Sequence, residues 1–268
     1  MICGYPKYHE KYGAIGCGKC MACRVNRKKE WTLKMLLEAT TSKHSSFLTV
    51  TYEDGKTPKN TQGDLTLRKK DLQKYIKRLR HEIGKLRYFA VGEYGDEFGR
   101  PHYHAILFTD VWNPMNFREM VNSCWGQGFT YLGECTVKSI KYVAGYTTKK
   151  MVDERKDPLY TDIEAPFATM SLKPAIGAKG IEEFSESQIS RYVGYKGDVP
   201  QTVKVGDSLY PVDKHLRQIM RARVGVPLEA KLRPKEAPRV VEFEEVLATR
   251  QKIQKWNHLN KRGKRYGS

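Results

Sequence analysis

No apolar run in this chain approaches the length of a membrane span, which argues against a transmembrane protein. No glycine-rich phosphate loop of the Walker type is present, so neither an ATPase nor an appended helicase is expected. Met1-Ile2-Cys3-Gly4 does not read as a secretory signal, and internal repeats and long low-complexity tracts are missing. Acidic residues are scarce relative to basic ones: 30 Asp and Glu face 48 Lys and Arg, a net charge of +18. That imbalance points to a polyanionic partner, of which nucleic acid is the commonest. It is also uneven. From Arg68 to Arg87 nine Lys or Arg stand against Asp71 and Glu82, and from Arg250 to Ser268 seven basic residues meet no acid. The chain is expected to work in a cytoplasm, with its six cysteines reduced unless they hold metal.

What is present is most concentrated between Gly99 and Leu107, Gly-Arg-Pro-His-Tyr-His-Ala-Ile-Leu. Alternate side chains of a strand share a face, so His102 and His104 point the same way with Cα atoms roughly 7 Å apart, as two metal ligands would. Leu86 to Tyr94 also reads as a strand, and Gly95 to Arg100 supplies the turn of a hairpin. A register that sets residue 93 opposite 102 or 104 brings Glu93 to the histidines. Two imidazoles and one carboxylate with open positions suit Mg²⁺ or Mn²⁺ acting on a phosphate. The plainer alternative is a pair of satisfied histidines on an edge strand. Further on, Tyr142 and Tyr146 stand at i and i+4, with Lys149 and Lys150 continuing the run. On a helix this is one stripe, either a packing face or a pair of nucleophiles; lysines on the same stripe are awkward in a core and apt beside a phosphate.

Four cysteines fall early, as Cys3 and then Cys17-x-x-Cys20-x-x-Cys23. Four thiolates can hold structural Zn²⁺, although the spacing also suits an iron–sulfur cluster or reactive thiols. Cys124 and Cys135 read as ordinary buried thiols. The periodicity predicts a helix over 24–40, a strand over 46–53 and a helix over 67–83 that buries Leu72, Tyr75, Ile76, Leu79 and Ile83 and stops at Gly84. The two hairpin strands follow, then a short helix near 116–124, a strand over 128–135 and the tyrosine helix over 137–152. From residue 46 the order is β-α-β-β-α-β and a helix: an α+β chain built on the split βαβ (ferredoxin- or RRM-like) arrangement, with a central antiparallel sheet flanked by helices. Helices are also expected over 211–223 and 240–259, separated by a linker at 227–238, and the last residues read as a basic tail.

Taken together, Pro101-His102-Tyr103-His104, the strand Phe47-Leu48-Thr49-Val50-Thr51-Tyr52 and the Tyr142/Tyr146 helix resemble the HUH superfamily of rolling-circle replication initiators. Within it the likeness is to the initiators of microviruses, small single-stranded DNA bacteriophages, whose catalytic helix is similar to Tyr142-Val143-Ala144-Gly145-Tyr146 with its double lysine. The segment Cys17 to Arg24 ahead of Glu30-Trp31 resembles the amino-terminal signature of the gokushovirus branch, and Ser171 to Gly177 a segment that follows the catalytic helix there. The resemblance spans roughly residues 1–180. It implies an HUH endonuclease fold in which Glu93, His102 and His104 hold Mg²⁺ or Mn²⁺, Tyr142 and Tyr146 attack DNA, and Lys149 or Lys150 offsets the developing charge. It further implies single-stranded origin DNA as substrate, a host helicase and polymerase as partners, no membrane, and the host bacterial cytoplasm as the place of action.

Three regions are expected: a Cys-rich module and helix at 1–45, the catalytic core at 46–152, and a helical extension with a basic tail at 153–268. Arg68, Lys69, Lys70, Lys74 and Arg100 are the expected DNA contacts. Other readings of the same residues are a non-catalytic single-strand-binding protein using tyrosines as stacking platforms, an HUH transposase or relaxase, and a cupin-like metal enzyme. The sequence names neither the origin nor the oligomeric state, and it does not say which tyrosine cuts first.

Overall fold

The computed structural model describes residues 3–9, 13–95, 99–110, 114–149, 160–227 and 241–242. In chain order the elements are β1 (Lys7–His9), β2 (Gly13–Ile15), α1 (Met21–Thr41), β3 (His44–Tyr52), α2 (Lys69–Ile83), β4 (Leu86–Tyr94), β5 (Pro101–Thr109), α3 (Pro114–Trp125), β6 (Gly128–Glu134) and α4 (Val137–Lys149). After these come β7 (Phe167–Met170), α5 (Ala178–Glu182), α6 (Glu186–Lys196), β8 (Thr202–Val205), β9 (Ser208–Pro211), α7 (Lys214–Arg223) and β10 (Val241–Glu242). Two compact units result, one from residues 42–173 and one from residues 1–41 together with 174–268. No described helix is long and apolar enough to cross a membrane.

The 42–173 unit is built on a five-stranded sheet in the order β6-β3-β5-β4-β7, with every neighbour antiparallel. Its first four strands with α2 and α3 are the expected split βαβ arrangement. Strand β7, which pairs Phe89–Gly92 on the outer edge of β4, was not foreseen. The α+β class with a central antiparallel sheet is thus as expected.

Strand alternation gives the sheet two different faces. One presents Leu48, Val50, Tyr52, Tyr88, Ala90, Tyr103, Ala105 and Leu107 to the apolar stripe of α2 and to Phe117, Val121 and Trp125 of α3. The expected residues of α2 are the buried ones, and Gly84, at φ 76°, ends the helix by returning its N–H to the Arg80 carbonyl. Polar atoms in this core are paired: the Tyr52 hydroxyl meets Tyr103 at 2.8 Å and donates to Asp71 at 3.0 Å. The opposite face carries Phe47, Thr49, Glu93, His102 and His104, and α4 packs on β4, β5 and β7 while burying Ile140, Val143 and Ala144. Cys124 and Cys135 are buried, as expected, and burial pushes the Cys135 thiol up to about 12.

In the other unit, α1 buries Leu33, Met35, Leu36 and Leu37 against segments that follow it by more than 130 residues. The fit is close at Gly180 of α5, where a Cβ would stand 2.4 Å from the Leu37 carbonyl oxygen. Glu38 accepts the Gly177 N–H at 2.7 Å, and buried Arg221 forks onto buried Asp198 at 2.7 and 2.5 Å. Three expectations need correction here. Residues past 174 are not purely helical, since β8, β9 and β10 form a small sheet. Helix α7 begins at Lys214 rather than 211, because Pro211 closes β9 and the Asp213 side chain caps the helix by accepting the Leu216 N–H. Val241 and Glu242, assigned to a helix over 240–259, pair in parallel with β8 instead; residues 243–259, most of the 227–238 linker and the basic tail lie outside the described residues.

Candidate active site

Strands β4 and β5 pair with Glu93 directly opposite His102, and β3 sets Thr49 opposite His104. The first is one of the two registers that the hairpin reading required. Glu93 Oε1 lies 3.0 Å from Nε2 of His102 and 3.0 Å from Nε2 of His104. The three ligand atoms fall within 4.8 Å of one another, with Glu93 and His104 buried.

Each imidazole is oriented from behind. The His102 Nδ1 is 3.0 Å from the Arg100 carbonyl, and the His104 Nδ1 is 2.8 Å from Thr49 Oγ1. A carbonyl can only accept, so His102 carries its proton on Nδ1 and offers the Nε2 lone pair; Thr49 allows the same for His104. Separations of 3.0 Å also match adjacent ligands of an octahedral ion with bonds of about 2.1 Å. Donor type, spacing and backing bonds therefore fit a divalent cation. Burial alone would raise the Glu93 carboxyl, but hydrogen bonds from His102, His104 and Tyr146 outweigh it and bring it down to about 2. It is a carboxylate at neutral pH.

Helix α4 delivers both tyrosines to this cluster from one stripe. The Tyr142 hydroxyl is 3.3 Å from His104 Nε2, and the Tyr146 hydroxyl donates to Tyr142 at 2.5 Å. Burial, the contact with Tyr142 and the Glu93 carboxylate all push Tyr146 far above the ordinary phenol range, so it rests as a hydroxyl. Ring contacts tie the group together: Tyr146 stacks on His104 at 5.7 Å, and Phe47 stacks on its own side of the same imidazole at 5.7 Å.

Not every expected residue joins the cluster. Arg68, Lys70 and Lys74 are exposed at the start of α2, which covers the opposite face of the sheet. Lys69 there holds its ammonium 5.5 Å from the Phe167 ring. Arg100 bonds the Tyr52 carbonyl and pairs with Asp54 at 2.7 Å, fastening the start of β5 to the end of β3 just where His102 needs its backing carbonyl. Lys149 is the last residue of α4, and Lys150 lies outside the described residues. Thr49 and Phe47 are site residues that sequence reasoning missed, since only the β3/β5 register reveals them.

The other unit carries a second candidate metal centre. Cys3, Cys17, Cys20 and Cys23 have sulfurs within 4.8 Å of one another, gathered by the β1/β2 hairpin and the first turn of α1. None is in a disulfide. Cys20 Sγ is 3.7 Å from Cys3 Sγ, close to the edge of about 3.8 Å expected for a tetrahedron with 2.3 Å zinc–sulfur bonds. Backbone amides of Cys17 and Tyr5 donate to Cys3 sulfur, and that of Cys20 to Cys17 sulfur. Backbone hydrogen bonds draw the Cys17 thiol down and the Cys20 thiol to about 6, whereas burial pushes Cys23 up to about 12.

Residues 45–151 match the family model described as a replication-associated protein of the ORF2 type. The chain is 31% identical over 215 residues to replication-associated protein VP4 of Bdellovibrio phage phiMH2K, covering 70% of this chain and 65% of that one. It is 34% identical over 158 residues to replication-associated protein ORF2 of Spiroplasma virus 4, covering 52% and 49%. Against replication-associated protein ORF4 of Chlamydia phage 1 it is 28% identical over 172 residues, covering 56% and 41%. The chain thus spans about two thirds or less of the length of these relatives. No solved structure matches it. The microvirus likeness read from the sequence is the one these relatives bear out.

Proposed function

We propose that this chain, whose residues 45–151 carry a domain of the replication-associated ORF2 type, is a phage replication initiator that nicks and rejoins single-stranded DNA through tyrosine. The observation that carries the reading is the convergence of two tyrosine hydroxyls on one carboxylate–imidazole cluster: Tyr142 at 3.3 Å from His104 and Tyr146 at 2.5 Å from Tyr142. A core stripe would not aim both hydroxyls at a buried ligand set, with Tyr142 itself half exposed.

In this reading a tyrosine oxygen bonds to phosphorus as the bond from phosphorus to the 3′ oxygen breaks. The phosphoester is exchanged rather than hydrolysed, so the strand stays rejoinable without ATP. Both tyrosines rest protonated, and the attacking one gives up its proton as the new bond forms. When bound, Mg²⁺ or Mn²⁺ supplies Lewis-acid polarisation of the phosphate and charge stabilisation at the leaving oxygen. Glu93, His102 and His104 hold it; Thr49 and the Arg100 carbonyl keep the imidazoles turned toward it. Lys149 or Lys150, at the end of α4, offsets phosphate charge. The second tyrosine, one helical turn away, cuts the regenerated origin while the first still carries DNA, and the freed 3′ hydroxyl then attacks the first linkage to close the circle.

The four-thiol centre is assigned to structural Zn²⁺. Arg68, Lys69, Lys70 and Lys74 make salt-sensitive phosphate contacts outside the cluster. Origin DNA, a host helicase and a host polymerase are the partners of this reading, in the cytoplasm of a bacterial host.

The test is incubation of the purified protein with end-labelled single-stranded oligonucleotides tiled across its genome, with Mn²⁺ or with EDTA. A metal-dependent adduct that survives denaturation is expected, persisting in Tyr142→Phe and Tyr146→Phe singly and vanishing in the double variant. Tight binding with no adduct on any tile would sink the nickase and leave a single-strand-binding protein.

A further inference from the structure

We propose that Phe129 and Tyr131 form a stacking platform for the bases of single-stranded DNA beside the candidate active site, an inference that rests on the nicking reading above. Both sit on β6, the edge strand beyond β3. The register places Phe129 opposite Thr51, which is opposite His102, and Tyr131 opposite Thr49, which is opposite His104. Side chains paired across antiparallel strands share a face. The two rings therefore lie on the cluster's face, two strands or roughly 10 Å from the histidines.

Their exposure is unusual. Phe129 is 68% exposed and Tyr131 62%, at alternate positions of an edge strand, where large apolar side chains invite aggregation. Tyr131 is nonetheless held in place: a Cβ on Gly133 would stand 2.9 Å from Tyr131 Cε1, so the ring lies against the bare glycine backbone. Its edge meets Phe47 at 6.5 Å, and Phe47 stacks on His104. An aromatic path thus runs from the reacting centre to the sheet edge and ends in two open ring faces.

Nucleobases of a single strand have free π-faces, whereas those of a duplex are covered by their neighbours. Stacking tolerates any base, and the net charge of +18 attracts the accompanying phosphates. The platform would hold nucleotides flanking the scissile phosphate and so fix which phosphate reaches the tyrosines.

The test uses the full chain in EDTA, so that no cleavage intervenes, and compares the affinities of an oligo(dT) strand and an abasic strand of equal length. Wild-type protein should prefer the base-bearing strand by about tenfold or more. The Phe129→Ala/Tyr131→Ala variant should lose that preference, about fivefold or more per ring, with abasic-strand affinity unchanged. Phe129→Tyr and Tyr131→Phe should keep it, and Gly133→Ala, which displaces the Tyr131 ring, should lose part of it. Retention of the full preference in the double alanine variant overturns the platform. So does a wild-type dimer that the double variant dissociates without any change in base preference, which would make β6 a contact between two copies. A missing tyrosine adduct would remove the nickase reading and leave this preference measurable.

Discussion

Replacing Thr49 by Val tests whether the imidazole of His104 is positioned or merely present. The substitution keeps the branched shape and strand propensity of residue 49 and removes one hydroxyl, which lies 2.8 Å from His104 Nδ1. His104 is 7% exposed, between Phe47 and Tyr146, so bulk water has little access to replace the lost partner. Without it the ring is free to carry its proton on either nitrogen and to turn over, which takes Nε2 away from Glu93. Loss of such a backing bond typically weakens metal binding or activity about 10- to 100-fold, roughly 1.4 to 2.7 kcal/mol. Mn²⁺ titration by calorimetry, together with adduct formation at varied Mn²⁺, should show this weakening in Thr49→Val, partial rescue by saturating metal, and near-normal behaviour in Thr49→Ser. Unchanged Mn²⁺ affinity in Thr49→Val would refute the reasoning.

Three further outcomes are expected. In metal-free protein at pH 7, Cys20, drawn to about 6, lies above its titration point and is largely thiolate, while Cys23 at about 12 is not. Mass spectrometry after brief iodoacetamide treatment should find Cys20 alkylated first and Cys23 last, and Zn²⁺ should protect all four; equal rates would contradict the amide-stabilised arrangement. Leu79→Ala empties a fully buried position under the sheet and should cost about 2–5 kcal/mol, read as a lower urea midpoint of the 42–173 unit. Asp198→Asn leaves the Arg221 guanidinium buried beside a neutral partner and should cost about 3–5 kcal/mol, read as faster amide exchange along α7, whereas a surface pair would give almost none.

Local signals carried the parts of this protein that depend on near neighbours in the chain. The apolar spacing of α2, its glycine stop, the His-x-His strand and the turn between β4 and β5 are each short-range patterns, and the Glu93–His102 pairing follows from hairpin geometry alone. Contacts between distant segments left no such trace. Thr49 is indistinguishable from any strand threonine until β3 is aligned with a strand 55 residues away. The packing of α1 against α5 depends on Gly180, whose lack of a side chain matters only because Leu37 is its neighbour. Strand β7 has four residues and borrows its order from β4. Pro211 and Asp213 read as helix in the sequence because a strand end and a cap can stand within three residues of a helix start.

The two-faced sheet has an evolutionary consequence. On β3 the odd-numbered residues Phe47 and Thr49 face the chemistry while Leu48 and Val50 face the core, and on β5 His102 and His104 alternate with Tyr103 and Ala105 in the same manner. Selection for a folded chain and selection for a working one therefore act on interleaved rather than separate stretches of genome. A phage lineage can retune one set by single codon changes while leaving the other intact, but an insertion or deletion of one residue within either strand exchanges the two sets at once and forfeits both.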